Sequence, residues 1–241
     1  MKLLAIDTAT EALSVALWLD GEIVERYAVV VREHAARLPL LVPALMAEAG
    51  LGLRQLDGLV CGIGPGSFAG TRIGVSYAKG LALGLDRPVA GVTSLAMLAQ
   101  AALAAHPGAT ALAAIDARMD EVYFGAFRRA ADGVAEPVAE PCVGPAAAVV
   151  LPARADGDAG WIGCGSGWAA FSAVLQARLA EAPLAVHADA FPQASAAFPT
   201  ALRTFRDGQA GDAAGLVPAY LRNRVALTSS EQAALRAQRA G

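Results

Sequence analysis

The residues best placed to do chemistry in this chain are the glycines of Gly62-Ile63-Gly64-Pro65-Gly66-Ser67-Phe68-Ala69-Gly70 and two carboxylates that end apolar runs, Asp7 and Asp116. The glycine stretch follows the apolar run Leu59-Val60-Cys61. It precedes residues at helical spacing, Gly74, Ala78, Leu81, Ala82 and Leu85. Strand, glycine turn and helix is a geometry that aims backbone N–H groups at an anion, because the first turn of a helix leaves its donors unpaired. The spacing is not that of a Walker loop, since no Gly-Lys-Ser/Thr follows, nor is it a GxGxxG. Glycine also permits a tight turn and lets a helix lie close on a sheet. From spacing alone, phosphate cradle and close packing stand side by side.

Metal chemistry asks for two or more His or acidic side chains on one face, and an i,i+4 His pair is the usual helical solution. His34, His106 and His187 are solitary, and Leu38 stands four residues after His34. His34 therefore reads as a capping or interface residue. Cys61, Cys142 and Cys164 never form a CxxC pair, so free thiols are expected, with no metal or disulfide framework. Kinase chemistry needs a second glycine-rich phosphate turn after an acidic residue. Asp116-Ala117-Arg118-Met119 has Ala and Arg where glycine would admit a phosphate, and Arg118 is expected to pair locally with Asp120 or Glu121. Asp7 is left either as a carboxylate that touches Mg²⁺ through water or as a strand-end residue receiving turn hydrogen bonds.

The elements that must position these groups alternate in type. Lys2–Thr8, Leu13–Trp18 and Glu22–Val31 read as three antiparallel strands, with Asp20-Gly21 as a hairpin turn and inward alternation around Ile23, Tyr27 and Val29. A helix is expected from His34 to Ala49, with Pro39 in its first turn and Pro43 bending it or delaying its start. Its apolar stripe is wide enough either for a sandwiched core helix or for a second face toward a partner. After a strand at Pro88–Val92, Ser94 caps a helix, and His106-Pro107-Gly108 breaks the pattern. Strands at Ala111–Ile115 and Glu121–Phe127 flank an acidic turn that echoes Ile6-Asp7-Thr8. Gly160–Gly167 then runs from a strand into a glycine turn before a helix at Trp168–Leu179, a strand follows at Ala182–Ala188, and a last helix spans 194–208.

Composition narrows the function classes. The 241 residues carry 19 basic and 22 acidic side chains, a net charge of −3 with no basic tail, so no concentrated surface for gripping RNA or DNA is evident. Although 56% of the residues are hydrophobic, no apolar run reaches ~18 residues, and no membrane span is expected. The opening MKLLAIDTAT lacks a signal-peptide pattern, which points to the cytoplasm.

Four stretches, in order, carry a resemblance. They are Ala5-Ile6-Asp7-Thr8-Ala9-Thr10, the run Gly64–Gly74, the run Ala114-Ile115-Asp116-Ala117-Arg118-Met119-Asp120-Glu121-Val122-Tyr123, and Pro218-Ala219-Tyr220-Leu221-Arg222. Together they resemble the TsaB (YeaZ-like) family, partner subunits in the synthesis of threonylcarbamoyladenosine on tRNA. The resemblance runs from Leu3 to Ala226. Its first motif is shared across the actin/Hsp70/sugar-kinase superfamily, whereas the second and third are specific. Ala69 stands where the family usually carries Thr, which removes a hydroxyl and leaves the backbone geometry.

The resemblance implies an α/β fold of two RNase H-like lobes of the actin-like ATPase superfamily, with mixed sheets and the second lobe reduced. The first lobe would span 1–106, the second 107–228, and a polar tail 229–241. It implies a non-catalytic scaffold that binds a TsaD-like catalytic subunit, which holds the HxxxH metal pair and threonylcarbamoyl-adenylate. That subunit modifies N6 of the adenosine next to the anticodon. A TsaE-like ATPase would join the complex, tRNA would be met only through it, and the chain alone would form a homodimer. The partner surface is expected on the first-lobe helices. Gly74, Ala78 and Ala82 would allow close approach, Leu38, Leu41, Leu45 and Met46 would supply apolar area, and Arg72 and Val75 would lie among them. Leu41→Arg or Ala78→Arg would then abolish association without unfolding the monomer. No cofactor or metal is expected. Asp7, Thr8, Gly64, Gly66, Ser67 and Gly70, with Gly163 and Gly165 on the adenosine side, would be vestiges of a nucleotide site, leaving room for weak ATP or ADP binding with Mg²⁺. The rival readings are an independent glycoprotease-like metalloenzyme, an actin-type small-molecule kinase and a stand-alone RNA-binding module.

Overall fold

A computed structural model describes residues 1–222; the tail expected at 229–241 lies outside them. The first sheet grows from the apolar run β1 (Lys2–Asp7), which pairs antiparallel with β2 (Ala12–Leu19), itself antiparallel to β3 (Glu22–Val29). Asp20 and Gly21 close the second hairpin at positive φ, 52° and 115°, as the Asp-Gly dipeptide requires. Two parallel strands, β4 (Gly58–Gly62) and β5 (Val89–Val92), complete the order β3-β2-β1-β4-β5.

The second sheet repeats the plan. β6 (Thr110–Arg118), β7 (Glu121–Arg129) and β8 (Ala135–Pro137) run antiparallel in sequence, β9 (Cys142–Pro145) also pairs with β7, and β10 (Trp161–Cys164) and β11 (Ala185–His187) add in parallel. Its order, β8-β7-β6-β10-β11, matches β3-β2-β1-β4-β5 strand for strand. The duplication hinted at by the two acidic turns is thus a property of the topology, and the two lobes are RNase H-like.

One face of the first sheet is covered by α1 (His34–Glu48) and α2 (Phe68–Leu85). Leu38, Val42, Leu45 and Met46 of α1 share a cluster with Val75, Ala78 and Ala82 of α2 and with Leu4, Ile6, Val15 and Leu59 of the sheet. Pro43 neither ends nor delays α1, and Pro39 lies beyond the first turn. Both are exposed, four residues apart on the outer side, where water can serve the carbonyls left without an N–H partner. In β3 the alternation has the opposite phase to that expected. Val24 and Ala28 pack on the core, while Ile23, Tyr27 and Val29 are exposed on the other face of this edge strand.

Chain order and packing separate at two helices. α3 (Ser94–Ala105) buries Leu95, Leu98, Ala99 and Leu103 against Ala111, Ala113, Ile115 and Phe127 of the second sheet. Conversely, a 3-10 turn at Ala194–Ala197 and α6 (Phe198–Arg206) return to the first sheet, where Phe198 and Ala201 meet Leu3, Ala5 and Val60. The break at His106 therefore divides the sheets but not the helices. Where one helix was expected at Trp168–Leu179 there are two short ones, α4 (Ser166–Ala170) and α5 (Ser172–Gln176). Phe171 between them leaves helical geometry and packs against the cluster holding Trp168 and Leu175.

Candidate functional site

The turn between β4 and α2 is seated on the β1–β2 turn of its own lobe. Ser67 N–H donates to the Ala9 carbonyl at 2.6 Å, Ser67 Oγ caps α2 by accepting from Gly70 N–H at 3.3 Å, and Thr8 Oγ1 donates to the Gly70 carbonyl at 2.7 Å. A Cβ on Gly66 would fall on the Ala9 carbonyl oxygen, one on Gly70 on the Thr8 carbonyl oxygen, and one on Gly74 would lie 2.5 Å from Thr8 Oγ1. Gly64 sits at φ 86° before a cis Pro65. Asp7, Thr8, Gly64, Gly66, Ser67 and Gly70 are thus brought together. Gly66 and Gly70 press on the Ala9 and Thr8 carbonyl oxygens, which a side chain at either position would strike.

The second lobe uses the same device. Gly165, at φ 100°, presses on the Ala114 carbonyl, and a Cβ on Gly163 would lie 2.6 Å from the Trp168 ring. The Trp168 indole N–H donates to the Leu112 carbonyl at 2.8 Å, which holds the ring over that glycine.

Asp7 is fully buried. Its Oδ1 accepts from Ala9 N–H at 3.2 Å, its Oδ2 has no hydrogen-bond partner among the described residues, and burial raises the carboxyl from 3.8 to about 7. Burial, with the Asp7 charge nearby, also raises the Cys61 thiol and keeps it protonated. Asp116, the counterpart at the end of β6, accepts from Arg118 N–H at 2.8 Å and pairs with the Arg118 guanidinium at 2.9 Å. Arg118 thus pairs with Asp116 and with Glu11 of the other lobe (3.3 Å), not with Asp120 or Glu121, because Glu121 is held by Arg222. His34, the first residue of α1, is buried with Nε2 3.2 Å from the Ala12 carbonyl, which ties the helix start to β2.

The residues expected to form the partner surface are mostly inside. Leu38, Leu45, Met46, Gly74, Val75, Ala78 and Ala82 are buried in the first lobe, and Leu41 and Arg72 are half-buried. They cover the sheet, so they cannot also present a flat apolar face outward. What the two helices turn outward is Leu40, 73% exposed, with Pro43, Ala44 and Ala47 on α1, and Ser76, Gly80, Leu83 and Gly84 on α2. A Cβ on Gly80 or Gly84 would meet nothing within 4 Å. Sequence reasoning passed over this pair, although two glycines four apart in a helix serve no turn.

Between the lobes lies a cleft of about 980 Å³, lined on one side by the start of α2 and on the other by the β6–β7 hairpin. Arg118, Met119 and Asp120 of that hairpin all have positive φ, 63°, 57° and 59°. Among the described residues no group of three or more His, Cys, Asp or Glu could hold a metal ion, and no helix is long and apolar enough to cross a membrane.

Two RNase H-like lobes with glycine turns closed onto their own hairpins define a class, the glycoprotease-like branch of the actin-like superfamily. The family model described as TsaD, tRNA N6-adenosine threonylcarbamoyltransferase, matches residues 24–228. The chain is 37% identical over 236 residues to the tRNA threonylcarbamoyladenosine biosynthesis protein TsaB of Escherichia coli K12, covering 94% of this chain and 96% of that one. It is 48% identical over 124 residues to the Haemophilus influenzae TsaB, about half of each chain at 52% and 52%. The solved structure of YeaZ from Pseudomonas aeruginosa superposes with a TM-score of 0.83 at 38% identity, covering 91% of this chain and 99% of that chain. The chain belongs to the TsaB/YeaZ family of tRNA threonylcarbamoyladenosine biosynthesis proteins.

Proposed function

We propose that this chain is a non-catalytic subunit that pairs with a TsaD-like catalytic relative through the outer faces of α1 and α2, and with its own copy when that relative is absent. The observation that carries this is the stripe Ser76, Gly80 and Gly84 on the exposed face of α2, whose glycines meet no other side chain or backbone among the described residues. Glycine in a helix costs about 1 kcal/mol relative to alanine. Beside Leu40 and Leu83, such a stripe lets a second helix approach closely and bury apolar area. A related lobe offering the same pair of helices would meet it in pseudo-symmetric fashion. The closure of both glycine turns onto backbone carbonyls supports a subunit without its own nucleotide chemistry. A TsaE-like ATPase would join the assembled pair.

The test is co-purification of the full chain with the TsaD-like protein of the same organism. Gly80→Arg and Gly84→Arg enter open space, so the monomer is expected to fold and melt normally while pairing is lost. Pairing at full strength in both variants would refute the assignment. Ala78→Arg is unsuited to this purpose, because Ala78 is fully buried in the lobe's own core and the variant would unfold.

A further inference from the structure

The mouth of the interlobe cleft gathers charge and aromatic surface, only part of which the fold ties up in ion pairs. Arg32, Arg72, Arg118 and Arg222 line it, opposed by Glu11 and Asp116, in a chain whose net charge is −3. Arg118 is neutralised by Asp116 and Glu11, and Arg222 by Glu121. Arg32 and Arg72 have no carboxylate partner among the described residues. The Arg72 guanidinium donates to the Phe68 carbonyl at 3.1 Å and lies 3.4 Å from the centroid of the Phe68 ring and 5.2 Å from that of Tyr220. Both rings remain open to solvent, Phe68 at 58% and Tyr220 at 54%. Opposite them stands the Arg118-Met119-Asp120 hairpin, in a left-handed conformation that is costly for residues with a Cβ and that gathers at ligand clamps.

We propose that this mouth binds an unpaired RNA segment, with a base stacked on the Phe68–Arg72–Tyr220 array and flanking phosphates on Arg32 and Arg72. Two arginines without a carboxylate partner among the described residues supply the attraction for phosphate, and two exposed rings beside a guanidinium supply faces on which any base can stack. An acidic peptide would use the charge but leave the rings idle, and a duplex hides its base faces. At about 980 Å³ the cleft is at the upper end of the ~300–1,000 Å³ range typical of small-ligand sites. The choice of RNA rests on the tRNA-modification reading above, whereas the stacking-and-phosphate chemistry rests on these residues alone. It qualifies the expectation that tRNA is met only through the complex: the chain would add a weak contact of its own.

The experiment is fluorescence anisotropy of a labelled single-stranded octaribonucleotide titrated with the full chain over a range of salt. Two phosphate contacts on a single strand predict a slope of log K against log salt of about −1.4. Arg32→Ala, at an exposed and unpartnered position, should reduce the slope by about 0.7. Phe68→Ala or Tyr220→Ala should weaken binding roughly five-fold or more. Arg54→Ala, an equal loss of charge outside the cleft, should leave binding unchanged, and thermal melts confirm that each variant is folded. Equal weakening by Arg54→Ala, equal affinity for duplex RNA, or no binding of the octamer would overturn the proposal. Displacement of the octamer by AMP at matching concentration would overturn it in favour of a mononucleotide site. These readouts share no residue with the Gly80→Arg pairing test, so either reading can fail without the other.

Discussion

Replacing Asp7 with Asn should remove a large component of the pH dependence of stability. Asp7 is fully buried, with one hydrogen bond from Ala9 N–H to Oδ1 and, among the described residues, no partner for Oδ2. Its carboxyl is raised from 3.8 to about 7. At about 1.36 kcal/mol for each pH unit, the ionised form is disfavoured in the folded chain by roughly 4 kcal/mol relative to the unfolded one. The sign follows from proton binding. Between those two values the folded chain still holds a proton that the unfolded chain has released. The contribution of this group is therefore most favourable below about pH 4, declines as pH rises, and has reached its least favourable value above about pH 7. Asn keeps the acceptor for Ala9 and never ionises. Urea unfolding of both proteins from about pH 4 to about pH 8 should show the variant gaining on the parent by about 4 kcal/mol across the range. The other carboxylates cancel in the comparison. Parallel curves would refute the reasoning, because they would mean that Asp7 ionises without penalty. The effect is large against a total stability of about 5–15 kcal/mol.

Two further outcomes are expected from the glycines. Gly66→Ala should destabilise by about 1–3 kcal/mol, since the added methyl falls on a backbone carbonyl that cannot yield as a side chain would; urea midpoints measure it. Gly80→Ala should do the reverse, stabilising the monomer by about 0.8–1 kcal/mol through helix propensity. Calorimetry in dilute solution should show this as a rise of about 2–4 °C in Tm.

Much of the fold was legible because local signals agree with one another. Asp20-Gly21 dictates its hairpin, the apolar runs β1 and β4 are buried strands, and the glycine-to-helix change at Ser67 is a capped helix start. The strand–acid–strand echo at Asp7 and Asp116 gave the duplication. What was not legible depends on tertiary assignment. The width of the α1 stripe could serve a core or a partner, and only the packed sheet shows that Leu38, Leu45 and Met46 belong to the core. The glycines of the central turn could cradle a phosphate or admit a carbonyl, and the close approach of Gly66 and Gly70 to Ala9 and Thr8 is visible only once the turn is seated on the β1–β2 hairpin. Arg118 has carboxylates on every side in sequence, and its pairing with Glu11 across the cleft follows from lobe placement. The phase of β3 failed for a simpler reason: an edge strand need not bury its larger apolar residues.

The crossing of α3 and α6 between lobes bears on how the molecule is made. A nascent chain that has emerged only as far as His106 possesses all five strands of the first sheet, yet one side of that sheet still lacks the lid that Phe198 and Ala201 will provide, while α3 displays a greasy face with nothing to rest on. The second face of the first sheet is therefore completed only by residues near the far end of the described chain.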